Sequence, residues 1–142
     1  MKTIFINGSN FKIFVELIVN MTNTDTKVMI RLTNENLLLI AFNYQTQKKV
    51  QHVLNNGFYE TIYQEPEDEL ETQVDTDAFG EVLVDINNFV THVSDFVDIL
   101  SEGDPENGVH LTISGRQLEV SLVITDPEHY YYGDTATVVF ET

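Results

Sequence analysis

The 142-residue chain has no cysteine, so neither a disulfide nor a thiolate metal site can form, which fits a cytoplasmic setting. Cations are scarce: seven Lys and Arg stand against 23 Asp and Glu, a formal net charge of −16. A field of that sign repels phosphate at long range, so a general nucleic-acid binder would have to gather its few cations on one face. No apolar run reaches the roughly 18 to 20 residues of a membrane span. The longest apolar-rich stretch, Phe11 to Met21, is broken by Lys12, Glu16 and Asn20. The opening residues MKTIFINGSN lack the apolar core and small-residue cleavage site of a secretory signal. Motifs that carry chemistry are missing too. His52, His92, His110 and His129 are not spaced as metal ligands, and there is neither H-E-x-x-H nor a calcium loop. The glycines, each placed by its surroundings at a turn, contain no G-x-G-x-x-G and no Walker lysine. The serines lack nucleophile-elbow spacing. Carboxylates are so abundant that chance proximity of two says nothing about acid–base catalysis. The expectation is a protein that is not an enzyme and uses no cofactor or metal.

What is present predicts an α+β domain. Apolar residues make up 42% of the chain and aromatic residues 11%, enough for a packed core at this length. Thr3 to Ile6 reads as a strand, followed by cap residues Asn7 to Asn10 and a helix to about Met21. The polar positions Lys12, Glu16 and Asn20 recur every fourth residue, and Asn23 continues the series, a narrow wet stripe on an apolar cylinder. Val28 to Leu32 alternates as a strand, Asn34 to Asn36 turns, and Leu37 to Phe42 returns as a well-buried strand. Lys48 to Leu54 is a further strand. Then Glu81 to Ile86 reads as a strand, and Asn87 and Asn88 as the caps of a helix whose stripe is Phe89, Val90, Val93, Phe96, Val97 and Leu100. Alternating runs at 109–113, 118–122 and 136–140 complete the pattern.

The two halves repeat. A shift of 78 carries Ile4 and Ile6 onto Val82 and Val84, and Asn10-Phe11 onto Asn88-Phe89. Beyond the helix a shift of 81 carries Val28, Ile30 and Leu32 onto Val109, Leu111 and Ile113, and Leu37 and Leu39 onto Leu118 and Val120. The extra residues fall in the second loop, where insertions cost little. The boundaries that follow are a first repeat of about residues 1–63, an acidic connector of about 64–78 and a second repeat of about 79–142, all in one domain.

Two consecutive β-α-β-β-β units resemble one domain of the DNA sliding clamps, the processivity factors of replicative polymerases. The segments that carry the resemblance are VDINNFVTHVSDFVDIL with VHLTISGRQLEVSL, and DTKVMIRLTNENLLLIAF. It implies a fold with paired helices on one side and sheets on the other. It also implies a non-catalytic role, tethering a DNA polymerase or other replication protein to double-stranded DNA that passes through a ring. Clamp rings hold about twelve such units, so a two-unit chain implies a homo-oligomer of about six copies joined at strand edges, the alternatives being a dimer or a monomer that has lost the ring. The strand near Thr135 to Thr142 is a candidate edge. A chain so small and acidic, if clamp-like, suits a virus, acting then in the host cytoplasm.

Carried onto this sequence, the clamp's nucleic-acid-binding helix faces give Lys12, Asn20, Asn88 and His92. The same faces bring Glu16, Asp95 and Asp98, so the wall would be net negative. Two segments are candidate partner sites. Gln64 to Asp77, with Glu67, Asp68 and Glu69, is an electrostatic landing patch for a basic protein. Tyr130, Tyr131 and Tyr132 cannot all be buried on one face of a strand, and tyrosine is favoured at interfaces. The charge supports an alternative reading: an acidic DNA mimic or protein-interaction module that inhibits a DNA-binding protein.

Overall fold

Burial alternates along Lys2–Asn7, Lys27–Thr33 and Gln117–Val123, as in strands that cover a core with one face. The computed structural model describes residues 1–21, 27–43, 46–55, 57–64, 78–100, 106–125, 127–128 and 136–142. Its elements run β1 (Lys2–Asn7), α1 (Gly8–Asn20), β2 (Lys27–Thr33), β3 (Leu37–Asn43), β4 (Lys48–Leu54), β5 (Glu60–Gln64), β6 (Ala78–Asp85), α2 (Ile86–Leu100), β7 (Gly108–Ser114), β8 (Gln117–Val123) and β9 (Thr137–Glu141). No helix among the described residues is long and apolar enough to cross a membrane.

Both helices begin at a side-chain cap. The Asn7 Oδ1 accepts from the Asn10 N–H at 2.9 Å, and the Asp85 Oδ1 accepts from the Asn88 N–H at 2.9 Å. The second cap corrects the expectation from sequence. Asn87 and Asn88 lie inside α2, whose first residue is Ile86, and the capping carboxylate stands just before it. Asp and Asn cap about equally well, so position relative to the apolar stripe decides which one serves. Phe11, Phe14, Val15 and Ile18 of α1 and Ile86, Phe89, Val93, Phe96 and Leu100 of α2 are buried at helical spacing.

Among the described residues nine strands pair antiparallel, in a five-stranded sheet ordered β5-β1-β7-β8-β9 and a four-stranded sheet ordered β4-β3-β2-β6. The order contains an exchange. The first strand, β1, pairs with β7 from late in the chain, while β6 pairs back with β2. The registers correspond: Ile4 faces Leu111 and Ile6 faces Val109 in one sheet, while Val82 faces Ile30 and Val84 faces Val28 in the other. These are the positions related by the shifts read from sequence. A single core takes side chains from both sheets and both helices. The strand β5 was not expected. All five of its residues are exposed, so it has no periodicity to read, and pairing with β1 holds it in place.

Glycine closes the seam between the sheets. Gly80 lies within β6 rather than at a turn, bridging Gly115 in the β7–β8 hairpin, and the Glu81 N–H donates to the Gly115 carbonyl at 2.8 Å. A Cβ on Gly80 would lie 2.5 Å from the Gly115 carbonyl oxygen, so only glycine permits this approach. Gly115 itself has φ 59°, in the left-handed region that favours glycine.

Lys2 is 1% exposed. Its Nζ donates to the Thr33 and Asn34 carbonyls at 3.1 and 3.2 Å and lies 5.7 Å from the centre of the Tyr59 ring. It thereby ties β1 to the β2–β3 turn, where the Thr33 hydroxyl accepts from the N–H groups of Glu35 and Asn36. Burial lowers the Lys2 pKa from its ordinary 10.5 and raises that of Tyr59 from its ordinary 10.0. Folded Lys2 releases its proton earlier than in the unfolded chain, so between its lowered pKa and 10.5 the unfolded state binds more protons and stability rises with pH. Folded Tyr59 keeps its proton longer, so above pH 10.0 stability falls. Urea titrations across this range are expected to show the rise vanish in Lys2→Met and the fall vanish in Tyr59→Phe. The Tyr59 hydroxyl is buried with no hydrogen-bond partner among the described residues, so Tyr59→Phe is also expected to raise stability at neutral pH by about 1 kcal/mol.

Candidate nucleic-acid interface

The two helices lie against each other. Phe14 of α1 meets Phe89 of α2 edge to face, with ring centres 6.1 Å apart and planes at 72°. Phe89 in turn packs on Phe140 of β9 at 4.9 Å. With these rings directed inward, the opposite faces of both helices are open to solvent. Lys12 and Asn20 are exposed on α1, and Asn88 and His92 on α2, as the sequence predicts for the two helices.

His92 is held rather than free-standing. Its Nδ1 lies 2.7 Å from the Asn88 carbonyl oxygen, one helical turn back, so Nδ1–H donates there and Nε2 is not used in that bond. The ring also meets Phe140 edge-on at 6.2 Å and 88°. The second ring nitrogen, Nε2, accepts a hydrogen bond in the neutral ring and donates one in the protonated ring.

The electrostatics of these faces oppose phosphate. Lys12 is the fixed cation of the two helices, and Glu16 on α1 and Asp95 and Asp98 on α2 are exposed as well. The remaining cations lie elsewhere. Lys27 and Arg31 are on β2, Lys48 and Lys49 on β4, Arg116 between β7 and β8, and Lys2 is buried. Arg31 is already committed: its Nη2 sits 2.6 Å from the Glu81 carboxylate. Among the described residues no group of three or more His, Asp or Glu side chains could hold a metal ion. The partner-site candidates Glu67, Asp68, Glu69, Tyr130, Tyr131 and Tyr132 lie outside the described residues.

The strand β3 is less buried than its sequence predicts. Leu37 to Phe42 is apolar throughout, which reads as a strand covered on both sides. Only Leu37, Leu39 and Ala41 are buried; Leu38 and Ile40 are half-buried and Phe42 is exposed. An uninterrupted apolar run in a two-layer fold is itself the signal, since one of its faces must look outward.

Neither a protein-family model nor a curated protein matches the sequence. Solved structures do. The chain superimposes over 99% of its length on the DNA polymerase III beta subunit of Borrelia burgdorferi, with a TM-score of 0.59 and 12% identity. It does so equally over 99% of its length on PCNA of Thermococcus kodakaraensis, with a TM-score of 0.58 and 13% identity. The chain has the sliding-clamp fold. The beta clamp of Helicobacter pylori is similar again, with a TM-score of 0.57 and 10% identity over 99% of the chain. This clamp-fold chain spans only 30%, 46% and 31% of the lengths of those three proteins. At these identities the likeness is one of fold.

Proposed function

We propose that the chain is one subunit of a clamp-like processivity factor, of viral origin, that tethers a polymerase or other replication protein to DNA without catalysis. The observation that carries the reading is the clamp fold over the whole chain, together with two strands, each last in its sheet, that pair on one side only among the described residues. One is β4, with Lys48 and Lys49; the other is β9, with the exposed Val139 and Glu141. A basic edge and an edge ending in a carboxylate are complementary, and a strand edge is a template for another strand. Pairing β4 of one copy with β9 of the next is a head-to-tail contact, which closes into a ring if the rotation permits. A chain of two units would close at about six copies. Inside such a ring Lys12, Asn20, Asn88 and His92 would face the duplex. The acidic connector with Glu67, Asp68 and Glu69, and Tyr130, Tyr131 and Tyr132, would meet the protein partner. The two halves descend, on this reading, from one duplicated unit.

Light scattering at micromolar concentration tests assembly, and retention on circular against linear duplex DNA tests encirclement. A mass near six chains with selective, salt-sensitive retention on circles is the expected result. A single-chain mass with no retention would overturn it. A second reading has its own support in the exposed Glu16, Asp95 and Asp98, which outnumber Lys12, the lone cation of the two helices. The chain would then act as an acidic DNA mimic that blocks a basic protein. Binding to a basic replication protein, competed by duplex DNA and with none to DNA itself, would favour that reading.

A further inference from the structure

Four strands are each last in a sheet and pair on one side only among the described residues: β5 and β9 in the five-stranded sheet, β4 and β6 in the four-stranded one. An outermost strand offers a row of N–H and C=O groups to any extended segment. The four differ in what they offer. β4 runs against β3 in unbroken register from Lys48 to Leu54, and β9 runs against β8 in unbroken register from Thr137 to Glu141. Their outward groups keep the spacing that a further strand needs.

β5 and β6 are interrupted. Tyr63 pairs with Thr3 and Thr61 with Ile4, so Ile62 is an extra residue on β5. Such a bulge bends the strand and breaks its ladder, one of the ways in which natural sheets blunt an edge. On β6 the outward donors are spent within the molecule. The Glu81 N–H donates to the Gly115 carbonyl at 2.8 Å, and the Leu83 N–H donates to the Thr142 hydroxyl at 2.8 Å. Thr142 is itself held, its N–H donating to the Arg116 carbonyl at 3.1 Å. Under the shift of 78, β6 corresponds to β1, which carries β5 on the equivalent flank. Where β1 has a strand, β6 has a hairpin turn and one threonine.

We propose that β5 and β6 are blocked edges, closed by the Ile62 bulge and the Thr142 cap, and that the chain accepts a strand of a second copy only along β4 and β9. Charge decides which of these two meets which. Lys48 and Lys49 are exposed on β4 and Glu141 on β9, so β4 repels another β4 and admits β9. Joining them runs the four strands of one copy into the five of the next, and the composite sheet starts at the blocked β6 and finishes at the blocked β5. Growth then follows one path from copy to copy and does not branch sideways. The inference deepens the assembly proposed above and rests on that reading for its occupant.

Hydrogen exchange of the unaltered chain across a concentration series tests it, together with two variants that remove the blocks. As copies associate, amide exchange should slow along β4 and β9 and stay unchanged along β5 and β6. Deleting Ile62 restores even spacing to β5, and Thr142→Val strips the acceptor from the Leu83 N–H. Each variant should reach, by light scattering, at least about twice the mass of the unaltered chain at the same concentration, because a further edge has become a template. In Thr142→Val the Leu83 amide should also exchange about fivefold or more faster in dilute solution. Circular dichroism and a cooperative urea transition show that each variant is folded. Adding Thr61→Lys to the Ile62 deletion should reverse the gain in mass, since a lysine blunts an edge, whereas association caused by unfolding would persist. Slowed exchange on β5 or β6 in the unaltered chain, or folded variants with no gain in mass, would overturn the proposal. If the unaltered chain is single at every concentration, the ring falls, while growth of the two variants still upholds the blocks.

Discussion

Phe89→Ala is expected to destabilise the chain by about 3–5 kcal/mol, the range for removing a fully buried aromatic ring, measured by urea unfolding. Phe89 is wholly buried and touches Phe14 of α1 and Phe140 of β9. Truncation deletes the ring and leaves both partners facing a void that a helix fixed on two sides cannot collapse to fill. Because domains are stable by only about 5–15 kcal/mol, much of the total is at stake. Phe140 is the buried residue of β9, so the loss should also loosen the strand proposed to join copies. Hydrogen exchange should rise along β8 and β9 more than along β3 and β4. Phe96→Leu in the same helix, which keeps an apolar side chain at a position 5% exposed, is expected to cost less than half as much.

The largest functional effect is expected from reversing the charge of one edge. With Val139→Lys and Glu141→Lys, β9 becomes basic and faces the Lys48 and Lys49 of the next copy. With Lys48→Glu and Lys49→Glu, β4 becomes acidic and faces Glu141. Each altered chain alone should fall from the assembled mass to that of a single chain, roughly a sixfold drop for a closed ring, because like charges across a strand pair cost several kcal/mol. An equimolar mixture should regain the full mass. The basic β9 of one variant then meets the acidic β4 of the other, and the remaining edges meet in their native combination. All four substituted positions are exposed, so the subunit fold should be retained. Recovery on mixing distinguishes edge pairing from general destabilisation; a mixture that stays dispersed would argue against these edges.

Periodicity made most of the fold legible. Lys48–Leu54 has the bounds the sequence predicts, and Phe89, Val93, Phe96 and Leu100 of the α2 stripe are buried, with Val90 and Val97 half-buried, whereas Ile13 and Val19 of the otherwise apolar α1 are exposed. What escaped was set by partners distant in sequence. β5 has no buried face to announce it and depends on β1. Lys2 looks like an ordinary solvated lysine near a terminus, and its burial depends on Thr33, Asn34 and Tyr59. Gly80 and Gly108 resemble turn residues, yet they are strand positions where another backbone passes too close for a side chain. A Cβ on Gly108 would collide with the Ile6 carbonyl oxygen. At the candidate interface, helix spacing placed Lys12, Asn20, Asn88 and His92 in solvent, while the hydrogen bond and ring contact that orient His92 needed β9 in place. The outward side of Leu37–Asn43 was hidden by the uniformity of its own sequence.

The exchange of first strands sets the order of events as the chain is made. When residues 1–64 have left the ribosome, β1 can find β5, yet its other long flank stays vacant until Gly108–Ser114 emerges. The first half therefore cannot mature by itself, and the growing polypeptide must carry an unfinished, apolar flank through most of its synthesis. Contacts of such long sequence separation slow folding and lengthen exposure to aggregation. A fold tied together in this way should be assembled late, after translation of its last third rather than during the first.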